Sequence, residues 1–477
     1  MHQGAQGAWT FHLPYTSEDE YQGSGLALMF YILLGKLAPL GLSYPLLYHG
    51  ARLFSSLLLL FVLARFIARF ITDHRWQTWT WWLVLFSGGV GLVVSYLINP
   101  AYVAYELVAP DAFAFSILYG PPHVILGYAL LLIWIEYVLN TLSMAANRQR
   151  MNGWLWRRIV MANLLGLLTA LSREAYGPAF VGIMLAYLIA LLIRQRKIPW
   201  RAALITAASC LGAGVYGVYM LVAYRIIPAF AAWYRQNPFA SPDLLDFLVG
   251  SAPLLILAAI GLYLIFARPQ PDRAIASPLN CTFLLAWLVI GPIIAYLPLA
   301  ISRRLVIGWQ IPLSIFGAYT LLRLWESRRP LRRALALSAL AATALTTLLV
   351  IFGGSMLVSM RQPPLFQSAD QLAALSWLGG HTTDRDVVLS DWHFGNALPV
   401  YAGARVLSGH PIETIDFQAK NALIDRYFAP STSETDRQAL IDQWSITLVV
   451  ATPDRFVPTD RTTVFQAGAY RIYHAHP

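Results

Sequence analysis

Long apolar runs dominate the first 360 residues and alternate with short charged, proline-rich or glycine-rich stretches. Runs such as LLLLFVLARFIARFI and VILGYALLLIWIEYVL approach the roughly 20 residues that a helix needs to cross a bilayer. An apolar segment near 24–40 is interrupted by Lys36 and is predicted to be an interfacial helix. The pattern predicts about ten transmembrane helices, near 51–70, 79–98, 122–142, 158–172, 175–193, 202–224, 244–266, 281–300, 304–323 and 334–358.

Composition supports this picture of an α-helical polytopic membrane protein. Hydrophobic residues make up 57% of the 477 residues and charged residues 12%, whereas a soluble domain has about 25% charged residues. The two cysteines, Cys210 and Cys281, lie inside apolar runs, so no disulfide framework is expected. Glycine-rich phosphate loops are absent from the sequence, which disfavours nucleotide-driven pumping.

The basic residues predict which loops face the cytoplasm. Residues 1–360 carry 25 basic and 12 acidic side chains, whereas residues 361–477 carry 9 and 12. A basic surplus of this kind reports topology more than nucleic-acid binding. With ten spans, the strongly basic loops fall on one side, which is the cytoplasmic side, and counting 24–40 as an eleventh span would break the pattern at its start. The loops concerned carry Arg65, Arg69 and Arg75; Arg148, Arg150, Arg157 and Arg158; Arg194, Arg196, Lys197 and Arg201; Arg268 and Arg273; and Arg323, Arg328, Arg329, Arg332 and Arg333.

The composition changes after Arg361. Residues 361–477 alternate helix-like segments, such as SETDRQALIDQW, with strand-like ones, such as DVVLS and ITLVVATP. This alternation predicts a small soluble α/β domain on a partly parallel sheet, following a transmembrane domain of residues 1–360. The topology places this domain outside the cytoplasm. Asp391, His393 and His410 follow strand-like runs, where α/β sheets bind ligands, although capping or surface roles are the more common reading.

The first residues carry no export signal, since MHQGAQGAW has neither a basic region nor an apolar core. About 50 largely polar residues would nevertheless have to cross the membrane ahead of the first span. We therefore expect one more spanning helix upstream in the native protein. Within the N-terminal segment, Glu18, Asp19 and Glu20 form an acidic cluster that suits a general base or a cation site, or else a solvated turn.

Other candidate residues lie in the predicted extracytoplasmic loops. Asp111 and His123 occupy an aromatic, proline-broken stretch that is expected to fold back into the bundle, where they serve proton transfer, substrate binding or packing. Arg173 and Glu174 neutralise each other or bind substrate.

The adjacent pair Arg303 and Arg304 gives a sharper signal. It violates the positive-inside rule locally, and binding an anion, either a substrate phosphate or a lipid headgroup, would offset that violation.

Several stretches resemble the GT-C-type membrane glycosyltransferases, in particular bacterial multi-spanning proteins of the dolichyl-phosphate-mannose-dependent branch. They are YILLGKLAPLGLSYPLLYHGARL, APDAFAFSILYGPPH, YLPLAISRRLVIGWQIPL and DVVLSDWHFGNALPVYAGARVLSGHPIETIDFQAK. The resemblance implies inverting transfer of a hexose from a polyprenyl-phosphate sugar to a glycan, lipid or protein acceptor, on the outer face of a bacterial inner membrane. It implies no cofactor beyond that donor, leaves a divalent metal open, and gives no metal ligands and no nucleic-acid partner.

The resemblance also implies residue roles. Arg303 or Arg304 would hold the lipid phosphate, and Asp111 and His123 would line the cavity. The residues themselves, apart from the resemblance, make Asp111 a candidate catalytic acid and His123, Arg173 and Glu174 candidate substrate-binding residues. The family's catalytic acid lies just after its first span, ahead of a glycine–tryptophan stretch like GAW at 7–9, so it would precede this sequence. Asp19 and Glu20 are then either its substitutes or bystanders.

Two other functions remain open from the sequence. The first is a non-catalytic membrane subunit or carrier that binds lipid-linked sugars. A transporter with inverted repeats is a weaker choice, because no convincing internal repeat is visible.

Overall fold

The computed structural model divides into two compact units, which are described separately. The helical unit comprises His49–Val218 and Phe239–Gly353, and the mixed unit comprises Met1–Tyr48, Tyr219–Pro238 and Gly354–Pro477. The structure describes residues 1–18, 21, 23–100, 102–146, 153–238, 240–267, 275–362, 365–453, 455–457 and 462–476.

The described helices include seven that are long and apolar enough to cross a membrane, and up to nine spans if each of two bent pairs counts as one. This is the helix set of a multi-pass membrane protein. The first pair, His74–Phe86 and Gly91–Leu97, bends by 44°, and the second, Trp200–Ser209 and Leu211–Ile226, bends by 54°. The seven single helices are Tyr44–Phe70, Pro122–Ala146, Gly153–Ser172, Tyr176–Gln195, Leu244–Phe266, Pro278–Ala295 and Pro330–Ser359.

The predicted span near 304–323 differs from the others. Its helix is Gln310–Trp325, which has only 16 residues and is buried from Gln310 to Leu322. It packs so closely against Leu244–Phe266 that a Cβ at Gly261 would overlap the carbonyl group of Phe316. All ten predicted apolar runs are therefore helical, but this one is a short helix enclosed by its neighbours.

Short elements connect the long helices of the helical unit. Proline begins one of these elements, because its fixed φ suits the first turn of a helix and its missing N–H costs nothing there. The short elements are the helices Tyr105–Val108 and Ala114–Tyr119 and the 3₁₀ turns Pro110–Ala112 and Ser302–Arg304.

Basic residues from the predicted cytoplasmic turns come together at one end of this unit. Their side chains or backbone carbonyl groups contact polar residues of the neighbouring helices at this end of the unit. These contacts join Arg65 to Glu136 at 3.1 Å, the carbonyl of Arg69 to the Asn280 amide at 3.1 Å, and Arg194 to the Thr282 hydroxyl at 2.9 Å.

The mixed unit combines the N-terminal segment, a short helix and the C-terminal α/β domain. The interfacial helix predicted near 24–40 corresponds to Met29–Gly35 followed by the 3₁₀ turn Ala38–Leu40. It is too short to span a bilayer, and its place at a membrane interface stays a prediction. The other helices of this unit are His2–Ala5, Pro228–Gln236, Ala369–His381, Trp392–Tyr401, Phe417–Phe428 and Glu434–Gln443.

Five strands of the C-terminal domain form one mixed sheet with the order β4-β3-β5-β7-β6. β3 pairs in parallel with β4 and β5, while β7 pairs antiparallel with β5 and β6. The predicted small α/β domain with a partly parallel sheet is therefore confirmed. The five strands are β3 (Val387–Leu389), β4 (Arg405–Val406), β5 (Leu448–Ala451), β6 (Thr463–Ala467) and β7 (Tyr470–His474). In the N-terminal segment, β1 (Phe11–His12) and β2 (Ser24–Gly25) form a separate antiparallel pair.

Helices cover both faces of this sheet because its central strands are apolar on both sides. Val388 and Val450 pack on the face covered by Ala369–His381 and Trp392–Tyr401. Val387 and Val449 pack on the opposite face, which Phe417–Phe428 and Glu434–Gln443 cover. Alternation of side chains along a strand produces these two cores from one continuous apolar run.

Candidate functional site

Residues from three separate connections and from the start of the Pro122–Ala146 helix meet at one end of the helical unit. A guanidinium nitrogen of Arg173 lies 3.6 Å from a carboxylate oxygen of Asp111. The guanidinium of Arg304 lies 4.0 Å from the carboxylate of Glu174. Both guanidinium groups are near enough to His123 for their charges to act on its ring. The structure thus brings together residues that are up to 193 positions apart in the sequence.

Arg303 belongs to the same group. Its guanidinium is close enough to Asp111 and Tyr105 for electrostatic interaction, and the turns that carry Asp111 and Arg303 pack against each other. We call the whole group the arginine cluster; it consists of Asp111, His123, Arg173, Glu174, Arg303 and Arg304. Among the described residues, this group contains three guanidinium groups and two carboxyl groups.

The arginine cluster has a buried base and a more accessible rim. The side chain of Asp111 is 6% exposed, whereas those of Arg173 and Glu174 are 20% and 30% exposed. Arg304 is intermediate at 15%. A ligand approaching from solvent therefore meets Glu174 and the guanidinium groups before it reaches the Asp111 carboxylate.

Tyr176 completes the contacts of Asp111. Its hydroxyl donates a hydrogen bond to Asp111 Oδ1 at 2.9 Å, while Asp111 Oδ2 faces Arg173. Sequence reasoning missed this residue, because a tyrosine at the start of an apolar helix is typical of core packing. The only signal was its position, three residues after Arg173 in SREAYG.

Local sequence explains how these groups can approach each other. An ideal Cβ at Gly127, one turn into the Pro122–Ala146 helix, would lie 3.2 Å from Arg173 Cβ and from the Tyr176 ring. Glycine is therefore the residue that best fits this contact. The Gln310 amide links the end of the His74–Phe86 helix to the start of the Ala114–Tyr119 helix. It donates to the Ser87 carbonyl at 2.6 Å and accepts from the Ala114 N–H at 2.8 Å.

A second buried acid lies beside the first bent span, and no sequence pattern singles it out. Glu106 is 2% exposed, and its Oε1 accepts from the Leu92 N–H at 2.7 Å and from the Thr346 hydroxyl at 2.8 Å. Its Oε2 has no hydrogen-bond partner among the described residues. Burial raises the pKa of Glu106 in spite of these hydrogen bonds. Glu106 therefore caps the second half of the bent span.

Two predicted catalytic acids, Asp19 and Glu20, lie outside the described residues. Their neighbour Glu18 forms an ion pair of 2.7 Å with Lys420, whose side chain is 1% exposed. Burial acts to raise the pKa of Glu18, but the Lys420 charge and hydrogen bonds from Lys420 and Thr16 lower it overall. Glu18 thus joins the N-terminal segment to the C-terminal domain within the mixed unit.

The candidate residues of the C-terminal domain have local partners. The Asp391 carboxylate accepts from the N–H groups of His393 and Phe394 at 2.9 and 3.1 Å, so it caps the helix that follows. Burial lowers the pKa of His410. The described part of the chain contains no group of three His, Cys, Asp or Glu side chains arranged to hold a metal ion.

Comparison with known proteins gives a match of fold. Two solved structures of the oligosaccharyltransferase AglB from Archaeoglobus fulgidus match 94% of this chain. One is a complex with an inhibitory peptide and a dolichol-phosphate, at a TM-score of 0.49 and 12% identity. The other carries a tethered acceptor peptide, at a TM-score of 0.48 and 13% identity.

The extent of this match is limited. The chain spans 64% and 63% of the length of these two structures. At these identities the likeness concerns the fold and transfers no residue role from one chain to the other. No family model and no curated protein sequence matches the chain.

Proposed function

We propose that this chain transfers a sugar from a polyprenyl-phosphate donor to an acceptor, and that the arginine cluster binds the phosphate of the donor. The observation that carries the proposal is the meeting of three guanidinium groups at one end of a membrane-type helical unit. Guanidinium groups gathered at a partly exposed site favour an anionic ligand.

The phosphate role follows from the chemistry of arginine. A guanidinium group binds phosphate oxygens through two parallel hydrogen bonds, and it remains charged at any relevant pH. In the transfer, the acceptor oxygen loses its proton to a base and bonds to the anomeric carbon of the sugar. The bond from that carbon to the phosphate oxygen breaks, and its electron pair stays on the phosphate. Arginines that hold this phosphate stabilise the charge as it develops.

The contacts of Asp111 favour a positioning role over a catalytic one. Its two oxygens face the Tyr176 hydroxyl and the Arg173 guanidinium. A carboxylate with both oxygens engaged in this way orients Arg173 and has no oxygen left directed at an acceptor. The base for the acceptor hydroxyl would then be Asp19 or Glu20, which the sequence leaves as either catalytic acids or bystanders. Glu174 and His123 would contact the sugar or the acceptor.

The predicted topology supports an extracytoplasmic site in a bacterial inner membrane, with the C-terminal domain on the same side. The support comes from the charges, because the basic turns that the positive-inside rule assigns to the cytoplasm meet at one end of the helical unit. The arginine cluster draws on other connections, namely the 99–121 loop, the turn at Arg173 and the turn at Arg303.

The test is transfer of radiolabelled hexose from synthetic polyprenyl-phosphate donors by the purified full-length protein in lipid nanodiscs. We expect Arg303→Ala and Arg304→Ala to lower kcat/KM by at least tenfold, whereas Arg328→Ala, an exposed arginine in a predicted cytoplasmic turn, should leave it unchanged. Equal turnover in all three variants would contradict the phosphate assignment. Donor binding without any transfer by the wild type would instead favour the carrier function.

A further inference from the structure

The mixed unit contains a groove that the proposed reaction does not use. It lies between the first 14 residues and the C-terminal domain and has a volume of about 550 Å³. This volume falls within the roughly 300–1,000 Å³ typical of small-molecule sites. We call it the N-terminal groove; its lining includes His2, Gln6, His12, Thr383, Asp384 and Gly403.

Neutral hydrogen-bonding groups dominate the polar part of the lining. Imidazole, carboxamide and hydroxyl groups line it, and Asp384 is the one charged side chain among the lining residues that the structure describes. Small apolar residues, including Ala8, Pro14 and Pro399, provide the remaining surface. Groups that both donate and accept hydrogen bonds, set beside small apolar patches, match the alternating hydroxyl and C–H surfaces of a pyranose ring.

Hydrogen bonds among the lining residues hold the groove in shape. The Gln3 side chain donates to the His12 carbonyl at 2.9 Å and accepts from the His12 N–H at 3.2 Å, which fixes the backbone there. Gln6 and His2 are joined by a side-chain hydrogen bond of 2.9 Å. Burial lowers the pKa of His12 against the influence of Asp384, which keeps its imidazole neutral at pH 7, with one donor and one acceptor. Such preorganisation reduces the entropy cost of binding.

We infer that the N-terminal groove binds a neutral oligosaccharide, the class of acceptor that would complete the proposed function on which this inference rests. The lining offers side-chain donors and acceptors in place of the arginines that an anion would need. A peptide bound as an added strand is disfavoured, because the N–H of Val406 on edge strand β4 already donates to the Pro14 carbonyl at 3.1 Å.

Gly403 offers a direct way to block the groove. An ideal Cβ at this position would meet its nearest atoms, the Asp384 N and the Gln6 side-chain nitrogen, at 3.7 and 3.8 Å, which are ordinary contact distances. Gly403→Ala should therefore fold normally and serves as a control for the fold. Gly403→Met extends a longer side chain from the same point and should fill the space that the sugar needs.

The experiment measures binding of maltotriose, mannotriose and chitotriose to the full-length protein in nanodiscs by saturation-transfer NMR and calorimetry. We expect at least one trisaccharide to bind, Gly403→Met and His12→Ala to weaken its binding at least tenfold, and the exposed-site control His476→Ala to leave it unchanged. Binding that survives Gly403→Met would overturn the inference. The inference would also be overturned if none of the three trisaccharides bound. It would be overturned as well if short peptides, and not other sugars, displaced a bound trisaccharide.

A parallel transfer assay separates this inference from the proposed function. Loss of trisaccharide binding in Gly403→Met, together with wild-type binding in Arg303→Ala, supports the groove whether or not hexose is transferred. Absence of transfer with intact trisaccharide binding would contradict the proposed function and leave the groove as a sugar-binding site.

Discussion

The side chains around Asp111 have unequal roles although all contact the same carboxylate. Tyr176 contributes one hydrogen bond at 2.9 Å, whereas Arg173 contributes a charge at 3.6 Å that must itself be neutralised, because its side chain is only 20% exposed. Removing the carboxylate charge therefore affects Arg173 more than removing the tyrosine hydroxyl does. A buried charged or polar group that loses its partner destabilises the fold more than the removal of both groups of a contact does.

We therefore expect Asp111→Asn to be more harmful than Tyr176→Phe. The asparagine keeps the shape but removes the main counter-charge of Arg173, so it should lower kcat/KM at least tenfold and destabilise the fold by about 1–3 kcal/mol. Tyr176→Phe should lower kcat/KM less than threefold. Transfer kinetics with thermal unfolding in the same nanodiscs measure both effects. Equal losses in the two variants would contradict a positioning role for Asp111.

Glu413 provides a pH-dependent test in the mixed unit. Burial raises its pKa from the ordinary 4.5 to about 7, so folding favours its protonated form. The resulting contribution to stability is fully present below pH 4.5 and is lost as the pH rises through 7. Tyr15 is near enough to interact with Glu413, and the Tyr15 ring lies 6.2 Å from that of His410.

Glu413→Gln should remove this pH dependence, because a carboxamide does not ionise. The stability of the variant relative to the wild type should increase as the pH rises from 5 to 8. Over this range the difference in free energy of unfolding between the two proteins should change by up to about 3 kcal/mol. Thermal unfolding at pH 5, 6, 7 and 8 measures this, and Glu434→Gln, a partly exposed carboxylate, is the control. A constant offset between Glu413→Gln and wild type across the series would show that Glu413 does not titrate with the fold.

Among the elements, the bent span His74–Phe86 with Gly91–Leu97 depends on the residues at its break. Gly89 has φ +78°, a left-handed conformation that glycine adopts without strain. A Cβ at Gly91 would overlap Glu106 Oε2. The carboxylate and the glycines therefore form one arrangement, in which Glu106 supplies the acceptor that the interrupted helix lacks.

This arrangement predicts a difference between two substitutions of Glu106. Glu106→Ala leaves the Leu92 N–H and the Thr346 hydroxyl without their acceptor, and each such buried group costs roughly 1–3 kcal/mol. Glu106→Gln keeps an acceptor oxygen and should cost much less. Thermal unfolding in detergent distinguishes them. If both variants are destabilised alike, the charge of Glu106 matters and the capping argument is wrong.

Sequence patterns predicted the helices better than their interruptions. Apolar length predicted all ten helical runs, because burial in a bilayer or bundle demands such length. The bend at Gly88 and Gly89 was missed, since two glycines in an apolar run do not reveal that Glu106, 14 residues beyond Leu92, supplies a cap. Gln310–Trp325 was predicted as a span because apolarity alone does not distinguish a lipid-facing helix from an enclosed one.

For the molecule as a whole, charge placement located the candidate site where motif searching could not. Arg303 and Arg304 were singled out because they violate the positive-inside rule, and the structure shows Arg304 paired with Glu174. Their common neighbourhood with Asp111 was beyond prediction, because contacts across roughly 190 residues depend on how the helices pack. The N-terminal groove was missed for the same reason, since its two walls come from opposite ends of the chain.

Sidedness is the whole-molecule property on which the proposed function depends, and cysteine labelling tests it. Cys210 and Cys281 are the two cysteines of the sequence, so replacing both by serine provides a background for single cysteines. Thr435→Cys reports on an exposed position of the C-terminal domain, and Arg328→Cys on an exposed predicted cytoplasmic turn. If basic turns stay on the cytoplasmic side, a membrane-impermeant maleimide should label position 435 in intact spheroplasts but position 328 only after permeabilisation. The reverse pattern would place the domain in the cytoplasm. A polyprenyl-phosphate donor on the outer face of the membrane would not be available to it there.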